Sequence, residues 1–273
     1  MLQLIWLIPL GYLVGAFGTL IGAGGGFILV PILLLLYPEK SPETITSISL
    51  SVVFFNAVSG SAAYAKMKKI DYRSGLVFAA ATVPGSILGA LTTSYIPRRI
   101  FDGVFGVLII ALSIYLGLKK EKDEFLNIKE IYHKCTRKIV DSDGNSYEYS
   151  YNQTIGIIIS LIVGYISSLL GIGGGIIHVP ALIHMLNFPV HLATATSHFI
   201  LAIASFTGSA IHAIQGELAN GLLQIIGLSV GVVFGAQLGA KLSKKIHGNF
   251  IIRALAVALG LVGIRIIMLA FHG

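Results

Sequence analysis

The chain has 273 residues, of which 55% are hydrophobic and 11% are charged, with a formal net charge of +7 and a mean hydropathy of +0.85. Soluble domains carry about 25% charged residues, and a soluble domain of this size leaves about a quarter of its surface exposed to water. The composition therefore excludes a soluble enzyme, a nucleic-acid-binding protein and a disordered chain, and it predicts a protein of the lipid bilayer.

Residues 1–118 contain five apolar segments, which the sequence predicts as helices. They are about 3–21, 25–37, 43–65, 73–95 and 99–118. A helix needs about 20 residues to cross the bilayer. The second segment rises only about 20 Å at 1.5 Å per residue, which is too short to cross. We therefore expect the first two segments to form a broken-helix hairpin, followed by three transmembrane helices.

Residues 119–152 are polar and separate two apolar regions. Between Lys119 and Glu148 lie seven basic and seven acidic residues. Asp143 and Gly144 form a turn signal, so a small hairpin is expected near 140–149 within an otherwise solvated connecting loop. The single cysteine, Cys135, cannot form an internal disulfide.

The second apolar region, 153–273, repeats the plan of the first. Its predicted segments are about 153–170, 174–187, 191–214, 218–241 and 248–270. Three sequence strings recur in the same order: Leu20–Pro31 with Leu169–Pro180, Thr44–Ser47 with Thr194–Ser197, and Gly85–Gly89 with Gly231–Gly235. Ordered matches across about 100 residues indicate an internal repeat, so we divide the chain into 1–118, 119–152 and 153–273.

Basic residues set the expected orientation. Loops 66–73 and 241–247 are basic, and the positive-inside rule places them, together with 119–152, in the cytoplasm. The two halves then have inverted topology, and both chain ends lie outside, as do Arg98 and Arg99. The predicted fold is an all-α polytopic protein of the cell (plasma) membrane with two inverted-topology repeats. Each repeat is a broken-helix hairpin with a Gly-rich break plus three transmembrane helices.

The two Gly-rich strings are the candidate binding site. Three adjacent glycines disfavour a helix by about 1 kcal/mol each relative to alanine, and a break inside the bilayer is tolerated where its backbone lines a cavity. The following short helix directs free N–H groups at the break, which suits an anion. Packing of neighbouring helices is the alternative role. The candidate glycines are Gly22, Gly24, Gly25, Gly26, Gly171, Gly173, Gly174 and Gly175.

Polar side chains near the breaks complete the candidate site. Hydroxyl and amide groups can donate to an oxyanion, or they can bond locally within a helix. A histidine inside the membrane can relay a proton or simply pack. We include Thr46, Ser47, Asn56, Thr196, Ser197 and His198, and we interpret His178 and His212 as packing residues.

These motifs resemble the sulfite exporter TauE/SafE family. The resemblance rests on the doubled Gly-x-Gly-Gly-Gly strings, each followed by Pro31 or Pro180, and on the Thr-Ser pairs, and it covers about 3–118 and 153–271. It implies a multi-pass exporter of sulfite, sulfoacetate or a related organosulfonate. Export would be driven by the membrane potential, at about 2.3 kcal/mol per charge per 100 mV, or linked to protons.

A divalent metal transporter that uses His178, His198 and His212 is the alternative function. Divalent ions prefer oxygen and imidazole ligands, and acidic residues are scarce in the apolar segments. An enzyme would need a nucleophile–base pair or a metal–carboxylate cluster, and the sequence shows neither. We expect a small anionic substrate, the lipid bilayer as partner, no cofactor, no bound metal and no nucleic acid, in a monomer or homodimer.

Overall fold

A computed structural model describes residues 2–118, 134–243, 259–261 and 263–268. The described residues are mostly helical. The elements are α1 (Leu2–Ile21), α2 (Gly26–Leu36), α3 (Pro42–Lys66), α4 (Tyr72–Thr93), α5 (Arg98–Leu118), β1 (Lys134–Val140), β2 (Ser146–Asn152), α6 (Gln153–Leu170), α7 (Gly175–His184), α8 (Val190–Ile214), a 3-10 turn (Glu217–Gly221) and α9 (Leu222–Leu242). The described parts of the last predicted segment are helical, and the rest of 248–270 lies outside the described residues.

Within the described residues, five helical stretches are long and apolar enough to cross a membrane. They are α3, α4, α6, α8 and the stretch Glu217–Leu242. Large apolar side chains on their outer surfaces remain exposed, such as Phe234 at 66% and Leu76 at 56%, as expected of surfaces that face lipid. α2 and α7 have 11 and 10 residues and are about 15 Å long, so neither crosses. The predicted polytopic helical fold and the short second helix of each half are confirmed.

Helices from the two halves pair with one another. α1 packs along α9, α4 packs along α6, and α3 packs along α8 at the centre. α4 also contacts α8, and α3 contacts α9. If α1, α3 and α4 are exchanged for α6, α8 and α9, respectively, the same set of helix pairs results. The packing therefore has the twofold character that an internal repeat gives.

Glycines bring the outer helix pairs into close contact. A Cβ atom on Gly85 or Gly89 of α4 would lie 2.2 Å from a backbone oxygen of α6. A Cβ atom on Gly231 or Gly235 of α9 would lie 2.1 Å from a backbone oxygen of α1. Small residues at this spacing let helix backbones approach closely within a membrane. The α4–α6 and α1–α9 contacts therefore depend on glycine, which has no side chain, at these positions.

The described part of the polar connecting segment forms the expected hairpin. β1 and β2 are antiparallel, from Lys134 opposite Asn152 to Val140 opposite Ser146. Gly144, in the loop between them, has a φ of +85°, a left-handed conformation that glycine adopts without strain.

The hairpin is docked on the body of the protein, which corrects the expectation of a solvated linker over 134–152. Asp71, the N-cap of α4, accepts hydrogen bonds from the Tyr149 hydroxyl at 2.8 Å, Arg137 Nη2 at 3.2 Å and the Ser74 backbone N–H at 3.2 Å. The ring of Tyr149 also lies 4.5 Å from that of Phe188, between centroids. An ion pair and an aromatic contact therefore hold the hairpin against the start of α4 and the α7–α8 connection.

The pKa of Asp71 reflects this docking. Burial acts to raise the pKa of its carboxyl group, but hydrogen bonds from Ser74, Tyr149 and Arg137 outweigh burial and leave the pKa below its ordinary value. The ionised carboxylate is therefore the form that the folded protein stabilises.

Gly235→Val is expected to destabilise the α1–α9 pair. The new side chain would collide with the Tyr12 backbone oxygen, and overpacking costs about 1–3 kcal/mol. Gly103→Val on α5 is the matched control, because a Cβ atom there meets nothing within 4 Å. Thermal unfolding in detergent should show a clearly lower Tm for Gly235→Val than for Gly103→Val; equal values would contradict the close contact.

Asp71→Asn should loosen the hairpin. It leaves the guanidinium of Arg137 without its carboxylate, and breaking a buried ion pair costs about 3 kcal/mol or more. Because the folded-state pKa of Asp71 is lowered, the wild-type protein has the larger free energy of unfolding at neutral pH, and this difference between wild type and variant depends on pH. It is lost as the pH falls below about 3.9 toward that lowered pKa. Thermal unfolding and proteolysis at the hairpin loop measure the effect. Glu148→Gln, on an exposed hairpin residue, should change neither.

Candidate functional site

Glycine conformation ends α1 and α6 at the two breaks. The glycines with left-handed backbone are Gly22 (φ +82°), Gly24 (+76°), Gly25 (+83°), Gly171 (+71°), Gly173 (+79°) and Gly174 (+72°). Other residues rarely adopt this conformation. The two strings therefore form the same sharp connection, and α2 and α7 start at equivalent places.

The two breaks meet at the centre of the protein. A Cβ atom on Gly26 would lie 2.6 Å from the backbone oxygen of Ile172, and one on Gly175 would lie 2.6 Å from the backbone oxygen of Gly22. All residues of both breaks are buried. The backbones of the two breaks are therefore in direct contact.

Central helices enclose both breaks. A Cβ atom on Gly24 would lie 2.2 Å from Leu201 Cδ2 of α8, and one on Gly173 would lie 2.7 Å from Val53 Cγ1 of α3. Val53 and Leu201 belong to one apolar cluster. Apolar side chains of the central helix pair thus pack directly against both breaks.

A small cavity lies beside the second break, among α4, α6, α7 and α8. Its volume is about 10 Å³, which is about the space that one water molecule needs. Its polar lining includes Thr82, Ser167, His178 and Ser197 together with the backbone of Gly173–Gly175. None of the lining residues is Asp, Glu, Lys or Arg. We call this space the α7 cavity.

Hydrogen-bond donors belong to residues that line the α7 cavity. At the break, the N–H groups of Ile172, Gly175 and His178 have backbone acceptors. Within the described part of the chain, the N–H groups of Gly173 and Gly174 have no backbone acceptor, and the same holds for Gly25 and Gly26 at the first break. The Ser167 hydroxyl is also without a partner there, with the residue 1% exposed. Free N–H groups and the positive end of the helix dipole favour an anion at such a position.

His178 lies in the first turn of α7 and is 2% exposed. Its Nε2 is 3.2 Å from the Ser160 hydroxyl, which itself donates to the Gly156 backbone oxygen at 2.7 Å. Nε2 of His178 must therefore be the donor to Ser160. The sequence predicts a packing role for His178 and does not point to Ser167. Matching of the repeats could not find either residue, since Leu29 and Gly18 stand at their positions in the first repeat.

A chain of side-chain hydrogen bonds reaches the backbone of the first break. Asn56 Nδ2 donates to the Gly24 backbone oxygen at 2.9 Å, and Asn56 Oδ1 accepts from the Thr19 hydroxyl at 3.1 Å. Since the Thr19 hydrogen is used in that bond, His198 Nε2 donates to the Thr19 oxygen at 3.1 Å. Asn56 and His198 are fully buried in this chain of bonds, and neither lines the α7 cavity.

The four predicted hydroxyl residues separate into different roles. The Thr46 and Ser47 hydroxyls donate to backbone oxygens of their own helix at 2.9 and 3.1 Å. The Thr196 hydroxyl accepts from the Asp71 N–H at 3.0 Å. Ser197 lines the α7 cavity, and its hydroxyl lies 3.5 Å from the Gly22 backbone oxygen.

Packing at the breaks also corrects the register of the repeat in α3 and α8. A Cβ atom on Gly171 would meet Thr46, and one on Gly22 would meet Thr194. Thr46 is therefore equivalent to Thr194. The sequence match pairs Thr46 with Thr196 instead, so the structural register differs from it by two residues.

The three buried histidines have separate hydrogen-bond partners. His178 bonds to Ser160, His198 to Thr19, and Nε2 of His212 lies 3.3 Å from the Thr46 hydroxyl. No group of three His, Cys, Asp or Glu residues suited to a metal ion occurs in the part of the chain that the structure describes.

The chain is similar to known proteins over nearly its whole length. Residues 7–266 match the family model described as "Sulfite exporter TauE/SafE". A probable membrane transporter protein of Bacillus subtilis, YunE, is 35% identical over 97% of this chain and 98% of its own length. A probable membrane transporter protein of Methanocaldococcus jannaschii is 28% identical over 97% of this chain and 95% of its own length. No solved structure was found to match the chain.

Proposed function

We propose that this chain, which belongs to the sulfite exporter TauE/SafE family and is a membrane transporter, exports a small sulfur-containing anion such as sulfite, sulfoacetate or a related organosulfonate. The observation that carries the proposal is the unpartnered Ser167 hydroxyl in the α7 cavity. It lies beside the N-terminus of α7, where helix dipole and N–H groups favour negative charge. The lining holds no carboxylate that would repel an oxyanion.

The proposal implies that the described conformation is closed. The α7 cavity has room for about one water molecule, and a sulfite or sulfonate group is larger. Substrate entry therefore requires α6 and α7 to move relative to the central pair of α3 and α8, as one unit of a repeat transporter moves against the other. Glycines at the break provide a backbone that can accommodate such a movement.

An inverted arrangement of the two halves is part of the proposal, and loop contacts support it. Lys69 Nζ lies 3.9 Å from Asp141 Oδ2, which joins loop 66–73 to the hairpin. Loops assigned to the opposite side also meet, since Lys40 Nζ donates to the Asn220 backbone oxygen at 2.7 Å. We place 66–73, 119–152 and 241–247 in the cytoplasm. In a cell membrane with a negative interior, the potential then favours outward movement of an anion.

Ser167→Ala should weaken anion binding by about tenfold or more, because a hydrogen bond to a charged group contributes about 1.5–3 kcal/mol. Ser168→Ala is a matched control: the Ser168 hydroxyl is buried and unpartnered in the described structure but does not line the cavity. The measurement is the rise in Tm with sulfite or sulfoacetate, together with efflux from proteoliposomes. Equal effects of the two variants would refute the site, and no flux by the wild-type protein would refute the function.

The orientation is tested with one cysteine at a time in a Cys135→Ser background. Glu148→Cys lies on the exposed hairpin surface and should react with an impermeant thiol reagent only after the cells are opened. Tyr95→Cys, at a position that is 85% exposed beyond the other end of α4, should react in intact cells. The opposite pattern would reverse the proposed topology.

A further inference from the structure

We propose that His178 takes up a proton when the anion binds, so that each anion bound at the α7 cavity is accompanied by one proton. This inference rests on the proposed function and adds the source of positive charge to its site. His178 acts at Nδ1: the nitrogen lone pair takes a proton from water to give an imidazolium, and it returns the proton when the anion leaves.

The need for a positive charge follows from the lining of the cavity. Moving an ionised group out of water into an apolar interior is costly unless it is paired and hydrogen-bonded. Ser167, Ser197 and the free N–H groups provide dipoles, but none of the described residues that line the cavity is Lys or Arg. A protonated imidazole at His178 supplies a full charge at the same place, and histidine is the side chain whose charge changes near neutral pH.

Hydrogen bonding determines which nitrogen of His178 changes its charge state. The hydrogen of the Ser160 hydroxyl is used in its bond to the Gly156 backbone oxygen. Nε2 of His178 must therefore keep its own hydrogen to donate to Ser160 in both the neutral and the charged ring. Nδ1 is left as the site that gains or loses the proton.

Comparison of the two repeats indicates that the histidine is not needed for packing. Leu29 occupies the position of His178 in the matched strings Leu20–Pro31 and Leu169–Pro180, and it is fully buried. The first repeat thus folds around the same helix start with an apolar side chain. A buried ionisable residue within the membrane is costly to keep and is expected to serve a function.

His178 is also the titratable group nearest to the proposed anion. Its ring centroid lies 6.4 Å from that of Phe78 on α4, Ser160 faces it from α6, and Ser197 of α8 lines the same cavity. Within the described residues, no Asp, Glu, Lys, Arg or Tyr lines this cavity or bonds to His178. The ring of Tyr151 also packs against Phe78, with 5.7 Å between the ring centroids.

The experiment measures sulfoacetate binding to the purified full-length chain as a function of pH. Both acidic groups of sulfoacetate stay ionised between about pH 5 and 8, the range in which histidine titrates, so the probe itself contributes no change of charge. Affinity is expected to rise as the pH falls, by up to about tenfold per pH unit for one linked proton. A pH dye in weak buffer should record about one proton taken up per sulfoacetate bound.

Three variants complete the test. His178→Leu, which copies the first repeat, and His178→Gln should bind sulfoacetate more weakly, with no proton uptake and a flat pH profile. His212→Gln is the control, because His212 is a buried histidine outside the cavity, and it should keep the wild-type profile.

The inference is overturned if wild-type binding takes up no proton, or if His178→Leu or His178→Gln keeps the wild-type pH profile. If His178→Leu does not fold, the wild-type proton count and His178→Gln decide the question. Failure of the wild-type protein to bind or move sulfite or sulfoacetate at any pH would instead refute the proposed function, and the role of His178 with it.

Discussion

The central constraint on this structure is that two helices are interrupted inside an apolar environment. Each interruption leaves backbone N–H and C=O groups without their helical partners. Lipid cannot satisfy such groups, so a helix break must be buried in protein or line a cavity. Here the two breaks are placed back to back, with Gly26 against Ile172 and Gly175 against Gly22. This contact requires glycine, because any side chain there would collide with the opposite backbone, and it brings the starts of two short helices to one point.

The repeats satisfy this requirement in different ways, and the difference creates the candidate site. At the first break, Asn56 bonds to the Gly24 oxygen. At the second break, the residue equivalent to Asn56 in the corrected register is Ala204. Its small apolar side chain lines the cavity. Ser167 and His178 also face this space. The duplicated framework thus has an amide bridge at the first break and a small cavity at the second, and this difference underlies the proposal of an anion site beside the second break.

Most of the helical framework could be predicted because its signals are local. Apolar segments, glycine triplets and a turn pair gave the helices, the two breaks and the hairpin. The candidate site was only partly predictable, because matching the repeats selects residues that both halves share, whereas Gly18 and Leu29 occupy the positions of Ser167 and His178 in the first half. Docking of the hairpin depends on Asp71 and Arg137, which are distant in sequence. The pairing of Thr46 with Thr194 follows from packing, since the local Thr-x-Thr pattern fits two registers.

Charge at the site connects its geometry with the energy available for export. A bare anion crossing outward gains about 2.3 kcal/mol per charge for each 100 mV of inside-negative potential. It must also leave water for a cavity whose lining has no fixed positive charge. A proton carried on His178 lowers that desolvation cost but removes one unit of charge from the movement. A dianion with one proton still moves with the potential, whereas a monovalent anion with one proton crosses without net charge and depends on concentration gradients alone. Protonation at one buried nitrogen would thus determine both which anions bind and what drives them across.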